Sequence, residues 1–243
     1  MKKKIAVLIA SSSKNTEWKD AEDALFLKHT IPSILRVKSN TLSYKFFVGV
    51  DDDDEFFLKN KREIEAILES TGEEFEIISI KNEARKPCFI WNYLFRVAYD
   101  KFFDYFLQTG DDVDYLNSFD LDFIKYLEAN NNYGVAGVTM KEYYPLITQA
   151  FVHRKHMTLF GFLFPEELPD WGCDDWITIV YLYWDLALRS KEHNIKNNRI
   201  VYGKNDPTAR YVVSENHREN LGICISMYKN HLHRIKYKLD GAI

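Results

Sequence analysis

Tyr105-Phe106-Leu107-Gln108-Thr109-Gly110-Asp111-Asp112-Val113-Asp114 is the stretch that decides the fold of this 243-residue chain. A short aromatic and aliphatic run breaking off into clustered acids has the signature of a buried strand. It would deliver carboxylates to the carboxyl edge of a sheet, where open α/β sheets bind ligands. Neighbouring carboxylates repel and lose hydration there, so the placement is costly unless a cation or cationic ligand neutralises them. Hard oxygen donors suit Mg²⁺ or Mn²⁺, which would in turn hold a diphosphate. Taken alone, a D-D-x-D stretch is more often an acidic turn facing water. The remainder of the chain reverses that preference.

Comparable β-type runs occur at Ile5–Ala10, Tyr44–Val50, Phe75–Ile80, Asp104–Thr109 and Tyr133–Val138. Helical character lies between the first four. Phe57, Ile64, Ile67 and Leu68 share one face of a helix, with Gly72 as its stop; Ile90, Tyr93, Leu94, Val97 and Ala98 share another, with Pro87 at its first position. Alternating strands and helices predict an α/β fold with a largely parallel sheet. Past residue 140 the alternation fades into Pro-containing loops, Tyr143-Tyr144-Pro145, Phe164-Pro165 and Leu168-Pro169. A helix is expected from about Asp175 to Arg189, and Leu221, Ile225, Tyr228 and Leu232 recur at helical spacing between about Glu215 and Lys238. No repeat, low-complexity linker or Pro/Gly-rich hinge interrupts the chain. A single domain is expected, with a regular half over 1–140 and a looser half over 141–243.

A net charge of −4 supplies no basic excess to release counterions from a nucleic acid. The three cysteines, Cys88, Cys173 and Cys224, are far apart, which argues against a disulfide framework or a cysteine zinc site. Met1-Lys2-Lys3-Lys4 precedes an apolar run of only six residues, Ile5–Ala10, shorter than a signal-peptide core. No segment approaches the ~20 apolar residues of a membrane span, so a soluble, cytoplasmic protein is expected. The 15% aromatic content, beside frequent Ile, Lys and Asn, fits A/T-rich coding as well as any function.

Asp51-Asp52-Asp53-Asp54 is a second acidic cluster at a strand end. An EF-hand fails, because Phe56 and Arg62 stand where the loop needs Gly and Glu. Asp54 and Glu55 suit a helix start, which leaves Asp51, nearest the strand, to contact a ribose or base. Arg85-Lys86-Pro87 opens the third helix and, with Asn92 one turn in, offers a phosphate site at a helix N-terminus; a solvated basic turn is the plain alternative. Trp171-Gly172-Cys173-Asp174-Asp175-Trp176 puts two acids between tryptophans. The indoles would wall a sugar-sized pocket while Asp174 or Asp175 serves as a general base; alternatively Asp174 caps the following helix. His217, His231 and His233 remain, and a lone His is more often structural than a ligand. Nucleophile-elbow, P-loop, dinucleotide and H-E-x-x-H signatures are absent.

Together, an ordered N-terminal half, a central acidic strand end and a later W-G-x-D-D-W segment resemble the GT-A superfamily of nucleotide-sugar-dependent glycosyltransferases. The likeness covers roughly residues 4 to 220 and extends to glycosyltransferase-like proteins of large DNA viruses. It implies a Rossmann-like, mixed but mainly parallel sheet flanked by helices, with an acceptor-binding C-terminal half. It further implies that Asp112 binds Mn²⁺ or Mg²⁺ and that Asp111 lies near the ribose or donor sugar. His217 would add a metal ligand, and Asp174 or Asp175 would be the base. The partners implied are a nucleoside-diphosphate sugar, foremost a UDP-sugar, and a glycan, protein or small-molecule hydroxyl acceptor. Two departures stand out. Gly110 occupies the first position of the D-x-D triplet, and Asp112-Val113-Asp114 also spells D-x-D, leaving two registers. A sugar-phosphate nucleotidyltransferase shares the fold but would need a Gly-rich first loop, where this chain has Ser11-Ser12-Ser13-Lys14. A catalytically silent nucleotide-sugar-binding module is the other alternative.

Overall fold

A computed structural model describes residues 2–82, 86–139, 146–198, 210 and 217–240. The first strand, β1 (Lys4–Ser11), shows why its sequence reads as one unbroken apolar run. Ile5, Val7 and Ile9 face one hydrophobic cluster and Ala6, Leu8 and Ala10 face the other, all nearly inaccessible to water. A strand covered on both faces by packed layers has no polar side to alternate.

A π-helical turn (Phe26–Thr30) runs into α1 (Ile31–Val37), followed by β2 (Ser43–Asp51), α2 (Glu55–Ser70), β3 (Glu74–Ile80), α3 (Pro87–Asp100) and β4 (Tyr105–Thr109). β5 (Val113–Tyr115), α4 (Asp120–Ala129), β6 (Val135–Thr139), β7 (Ile147–His153) and α5 (Lys155–Phe160) come next. The chain then forms α6 (Cys173–Leu182), β8 (Ala187–Ser190), β9 (Ile195–Asn197) and α7 (His217–Asp240).

Seven strands form one sheet in the order β3-β2-β1-β4-β7-β6-β8. Every neighbouring pair is parallel except the two made by β7, which runs antiparallel between β4 and β6. The registers level the carboxyl ends of the parallel strands, with Asp51 beside Ile80, Ser11 beside Val50 and Ile9 beside Thr109. β5 and β9 make a separate two-stranded antiparallel ribbon just beyond the end of β4.

All five predicted strands are present. The helix predicted from about Asp175 to Arg189 is present, but it begins earlier and is shorter. α6 starts at Cys173 and stops at Leu182, and Ala187–Arg189 belong to β8. The break is backbone-driven: Asp185 sits at φ +54°, and Leu186 N–H returns to the Tyr181 carbonyl at 2.9 Å, ending the helical ladder. The C-terminal segment is helical as α7, although the side chains of Leu221, Ile225, Tyr228 and Leu232 lie outside the described ones. No helix among the described residues is long and apolar enough to cross a membrane.

Candidate active site

Three acidic features converge on the carboxyl edge of the sheet, and the structure treats each differently. At the end of β2, Asp51 is 2% exposed. Its Oδ1 accepts from Asn82 Nδ2 at 2.9 Å, while Oδ2 is buried, has no hydrogen-bond donor among the described residues and lies 3.6 Å from Lys14 Nζ. Burial pushes its carboxyl up to about 6; the Asn82 bond works against that rise, and Asp53, Asp54 and Asp52 add to it. Asp54 is structural. It is the N-cap residue of α2, and its carboxylate accepts from Ser13 N at 2.8 Å and Ser13 Oγ at 2.5 Å, fastening the loop after β1.

At the end of β4, Asp111 and Asp112 occupy the turn, and Asp114 stands beyond it in β5. The turn is braced from several sides. Thr30 Oγ1 donates to the Gly110 carbonyl at 3.0 Å, Gly110 N–H donates to Gln149 Oε1 at 3.0 Å, and Trp91 Nε1 donates to the Thr109 carbonyl at 3.2 Å. At Gly110 a Cβ would stand 2.9 Å from Asp112 Oδ1, so a side chain there would push that carboxylate aside. Asp111, 1% exposed, accepts from Ser11 Oγ at 2.6 Å and from both guanidinium nitrogens of Arg210. Asp112 is half-buried, and Asn198 holds its carbonyl through N–H at 2.9 Å and Nδ2 at 3.2 Å. Asp114 pairs with Asn198 Nδ2 at 2.8 Å and His29 Nδ1 at 3.3 Å.

The third feature is α6. Gly172, at φ +92°, is its N-cap, so Cys173, Asp174 and Asp175 form the first helical turn. Asp174 is therefore inside the helix rather than its cap. Carboxylates in a first turn face exposed amide N–H groups and the positive end of the helix dipole. Even so, burial raises Asp174 to about 7; a Cys173 thiol bond at 3.5 Å opposes that rise and Asp175 reinforces it. Burial also raises Asp175, against a bond to its own backbone. The tryptophans do not form a pair of walls. Trp176 is fully buried against Phe160 and Phe162 and donates to His231 Nδ1 at 3.0 Å; Trp171, 38% exposed, is the indole left at the surface.

A hydrogen-bonded path joins these elements. Asp51 binds Asn82, Asn82 Oδ1 accepts from Lys86 N at 3.1 Å, and Lys86 Nζ donates to Asp170 Oδ2 at 2.7 Å. Cys88 N–H reaches the Pro169 carbonyl at 3.1 Å, so the loop leading into α6 is tied to the start of α3. Lys86 is thus engaged with an acid, and Asn92 is turned elsewhere: its amide holds the backbone of Leu163 and Phe164 through bonds of 2.7 to 2.9 Å. Arg85 lies outside the described residues, as does the side chain of His217, the first residue of α7. Among the described residues no three His, Cys, Asp or Glu side chains form a ready metal cage.

Arg210, Asn82 and Asp170 were not singled out from sequence. Asp170 directly precedes Trp171 and was legible as an extension of that motif. Arg210 lies 99 residues from its partner, and no local pattern points to it.

No family model matches the chain, and no curated protein matches it. Solved structures do. TarS 1–349 of S. aureus in complex with UDP-GlcNAc superposes at TM-score 0.59 and 14% identity, over 94% of this chain and 70% of that one. The mannosyltransferase PcManGT from Pyrobaculum calidifontis, in complex with GDP-Man and Mn²⁺, gives 0.55 at 12%, covering 79% and 56%. A putative glucose-1-phosphate thymidylyltransferase from Bacillus anthracis, in complex with a sucrose, gives 0.52 at 10%, covering 81% and 89%. Against TarS 1–349 in complex with UDP, the chain spans 59% of that chain's length. At such identities the likeness defines the fold, a GT-A-like α/β architecture built on a mainly parallel seven-stranded sheet flanked by helices.

Proposed function

We propose that this protein is a metal-dependent glycosyltransferase that moves a hexose from a nucleoside-diphosphate sugar, foremost a UDP-sugar, to a hydroxyl acceptor. The observation that carries this reading is the convergence of Asp51, Asp111 and Asp112 on levelled strand ends of a GT-A-like sheet, with Asp174 and Asp175 tied to the same edge through Lys86 and Asp170. Asp51 has a buried oxygen with no donor among the described residues, which suits a ribose hydroxyl or a base N–H.

The donor set fits a hard divalent ion. Asp112 is a carboxylate on a rigid turn, and the missing side chain at Gly110 leaves room beside its Oδ1. Mg²⁺ and Mn²⁺ sites need few protein ligands, because water and substrate phosphates complete the shell; Asp112 would hold the ion, with His217 a second ligand. When bound, the ion would neutralise the diphosphate as it leaves.

Asp174 or Asp175 accepts the proton of the acceptor hydroxyl as that oxygen bonds to the anomeric carbon and the bond from this carbon to the diphosphate oxygen breaks. A half-buried carboxyl near 7 is a competent base at neutral pH, since proton affinity and ionisation are balanced there. Trp171 offers one aromatic face to a sugar on the acceptor side. Asp111 supports the turn and would face the ribose or donor sugar, and Lys86 would stand at the nucleotide's polar edge.

The nucleotidyltransferase reading gains a fold-level parallel from the thymidylyltransferase, but Ser11–Lys14 lacks a glycine and its serines are spent on Asp54 and Asp111. A panel of sugar nucleotides with Mn²⁺ and simple glycan acceptors tests the proposal. Release of free nucleoside diphosphate is expected. Pyrophosphate release from a nucleoside triphosphate and a sugar phosphate would replace it with the nucleotidyltransferase, and binding without release with a silent module.

A further inference from the structure

Arg210 holds Asp111 in the geometry of a two-pronged clamp. Nη2 donates to Oδ1 at 2.6 Å, Nη1 donates to Oδ2, and Nη1 also reaches the Ser12 carbonyl at 3.3 Å. The guanidinium lies over the Trp18 ring, 5.8 Å from its centre. Its partner is one of the most buried carboxylates in the molecule, directly before the proposed metal ligand Asp112. A similar pairing stands at the neighbouring strand end, where Lys14 Nζ lies 3.6 Å from Asp51 and 3.0 Å from Asp53. The acidic edge of this sheet therefore carries its own cations.

We propose that Arg210 is a diphosphate-binding residue that exchanges Asp111 for the phosphates when a nucleoside diphosphate and its divalent cation occupy the strand-end site. The inference rests on the nucleotide-dependent reading above and adds a residue to it. A buried carboxylate cannot be left without a counter-charge, and in the free protein Arg210 supplies one. A divalent cation held by Asp112 would take over that neutralisation and would repel the guanidinium nearby. The incoming diphosphate carries the compensating negative charge. The planar fork that fits the Asp111 carboxylate fits two phosphate oxygens equally well, so the exchange preserves hydrogen-bond count and charge balance. Arg210 and the metal are thus competitors for the carboxylates and collaborators on the phosphate.

That dual role predicts two effects of opposite sign, which a purely structural arginine would not produce. Calorimetric titrations of the full chain, wild type and Arg210→Gln, would follow MnCl₂ alone and UDP in the presence of MnCl₂. Arg210→Gln is expected to lower UDP affinity by about 10–100-fold, the usual worth of hydrogen bonds to a charged group. Affinity for Mn²⁺ alone is expected to rise, because a competing cation has gone. Arg210→Lys should recover part of the UDP affinity, keeping the charge without the fork, and it carries the same comparison should the Gln variant fold poorly. UDP affinity within about twofold of wild type, or Mn²⁺ and UDP affinities falling together, would overturn the assignment. Failure of the wild-type protein to bind either UDP or GDP with Mn²⁺ would instead sink the nucleotide reading itself, and this inference with it.

Discussion

Asp111-Asp112 and Asp174-Asp175 are the same dipeptide in two regions of one molecule, and their surroundings solve the same repulsion differently. The first pair follows a buried strand, in a turn braced by Thr30, Gln149 and Trp91, and an arginine from far along the chain neutralises Asp111. The second pair opens a helix. Among the described residues no ion pair reaches it, and burial pushes both carboxyls upward, Asp174 to about 7. A paired carboxylate is fixed in place by its partner, whereas a raised pKa suits a group that must take a proton and give it back. Identical residues thus sit in different electrostatic surroundings.

The sharpest break between the two pairs is expected at Asp112. Asp112→Ala should lower Mn²⁺-dependent UDP affinity by about 100-fold or more, beyond the 10–100-fold typical of losing a ligand's supporting partner. Far-UV circular dichroism should stay unchanged. Metal-dependent affinity equal to wild type would show that the ion, if any, is held elsewhere.

On the other side, Asp174→Asn should leave UDP affinity intact and lower transfer about 10²–10⁴-fold. Because a base works only when deprotonated, wild-type kcat/KM should rise with pH through about 7, and that limb should flatten in the variant. Loss in Asp175→Asn instead would exchange the two roles. Full activity in both variants would end the comparison.

The ground under the second pair can be tested next. Trp176 anchors α6 in the core, so Trp176→Ala should cost about 3–5 kcal/mol in urea denaturation, whereas Trp171→Ala at the surface should change stability by about 0.5 kcal/mol or less. Similar losses from both would mean that the tryptophans are not divided between core and rim. Asn92, which bridges α3 to the loop before α6, should cost about 1–3 kcal/mol on replacement by alanine with UDP affinity unchanged. A selective loss of UDP binding would return it to the nucleotide side.

The last test concerns acid. Burial holds His156 down at about 3 and His231 at about 4, below the ordinary 6.5. Unfolded histidines take up protons below 6.5 while these do not, so the unfolded state binds more protons and stability falls as the pH drops. Each should cost about 1.4 kcal/mol per pH unit from 6.5 until its folded value is reached. His231→Gln should lessen the difference in urea midpoint between pH 7 and pH 5. An unchanged difference would remove His231 from the account.

Legibility divided along the same line as the two halves. Strands such as Ile5–Ala10 and Tyr44–Val50 were readable because burial on both faces makes the first a continuous apolar run and the second one broken only by Lys45. β7 was missed. Its sequence, ITQAFVH, carries a buried glutamine that the core tolerates because Gln149 accepts the Gly110 N–H. β8 was taken for helix because Ala187-Leu188-Arg189 continues an apolar helical pattern; only the turn at Asp185 and pairing with β6 make it a strand.

Local chemistry determined where the strands end, that acids cluster at two of those ends and that Pro87 starts α3. These are properties of a few neighbouring residues, of period and of steric room, and they survive in a one-dimensional string. Tertiary structure alone decided that Arg210 clamps Asp111, that Lys86 answers Asp170 rather than open solvent, and that one tryptophan of the W-G-C-D-D-W segment is core while the other is surface. Each depends on which side chains meet across 84 or 99 residues of chain, or on which helix face meets the core. A side chain's charge is written in its sequence, whereas the partner that balances that charge is chosen by packing.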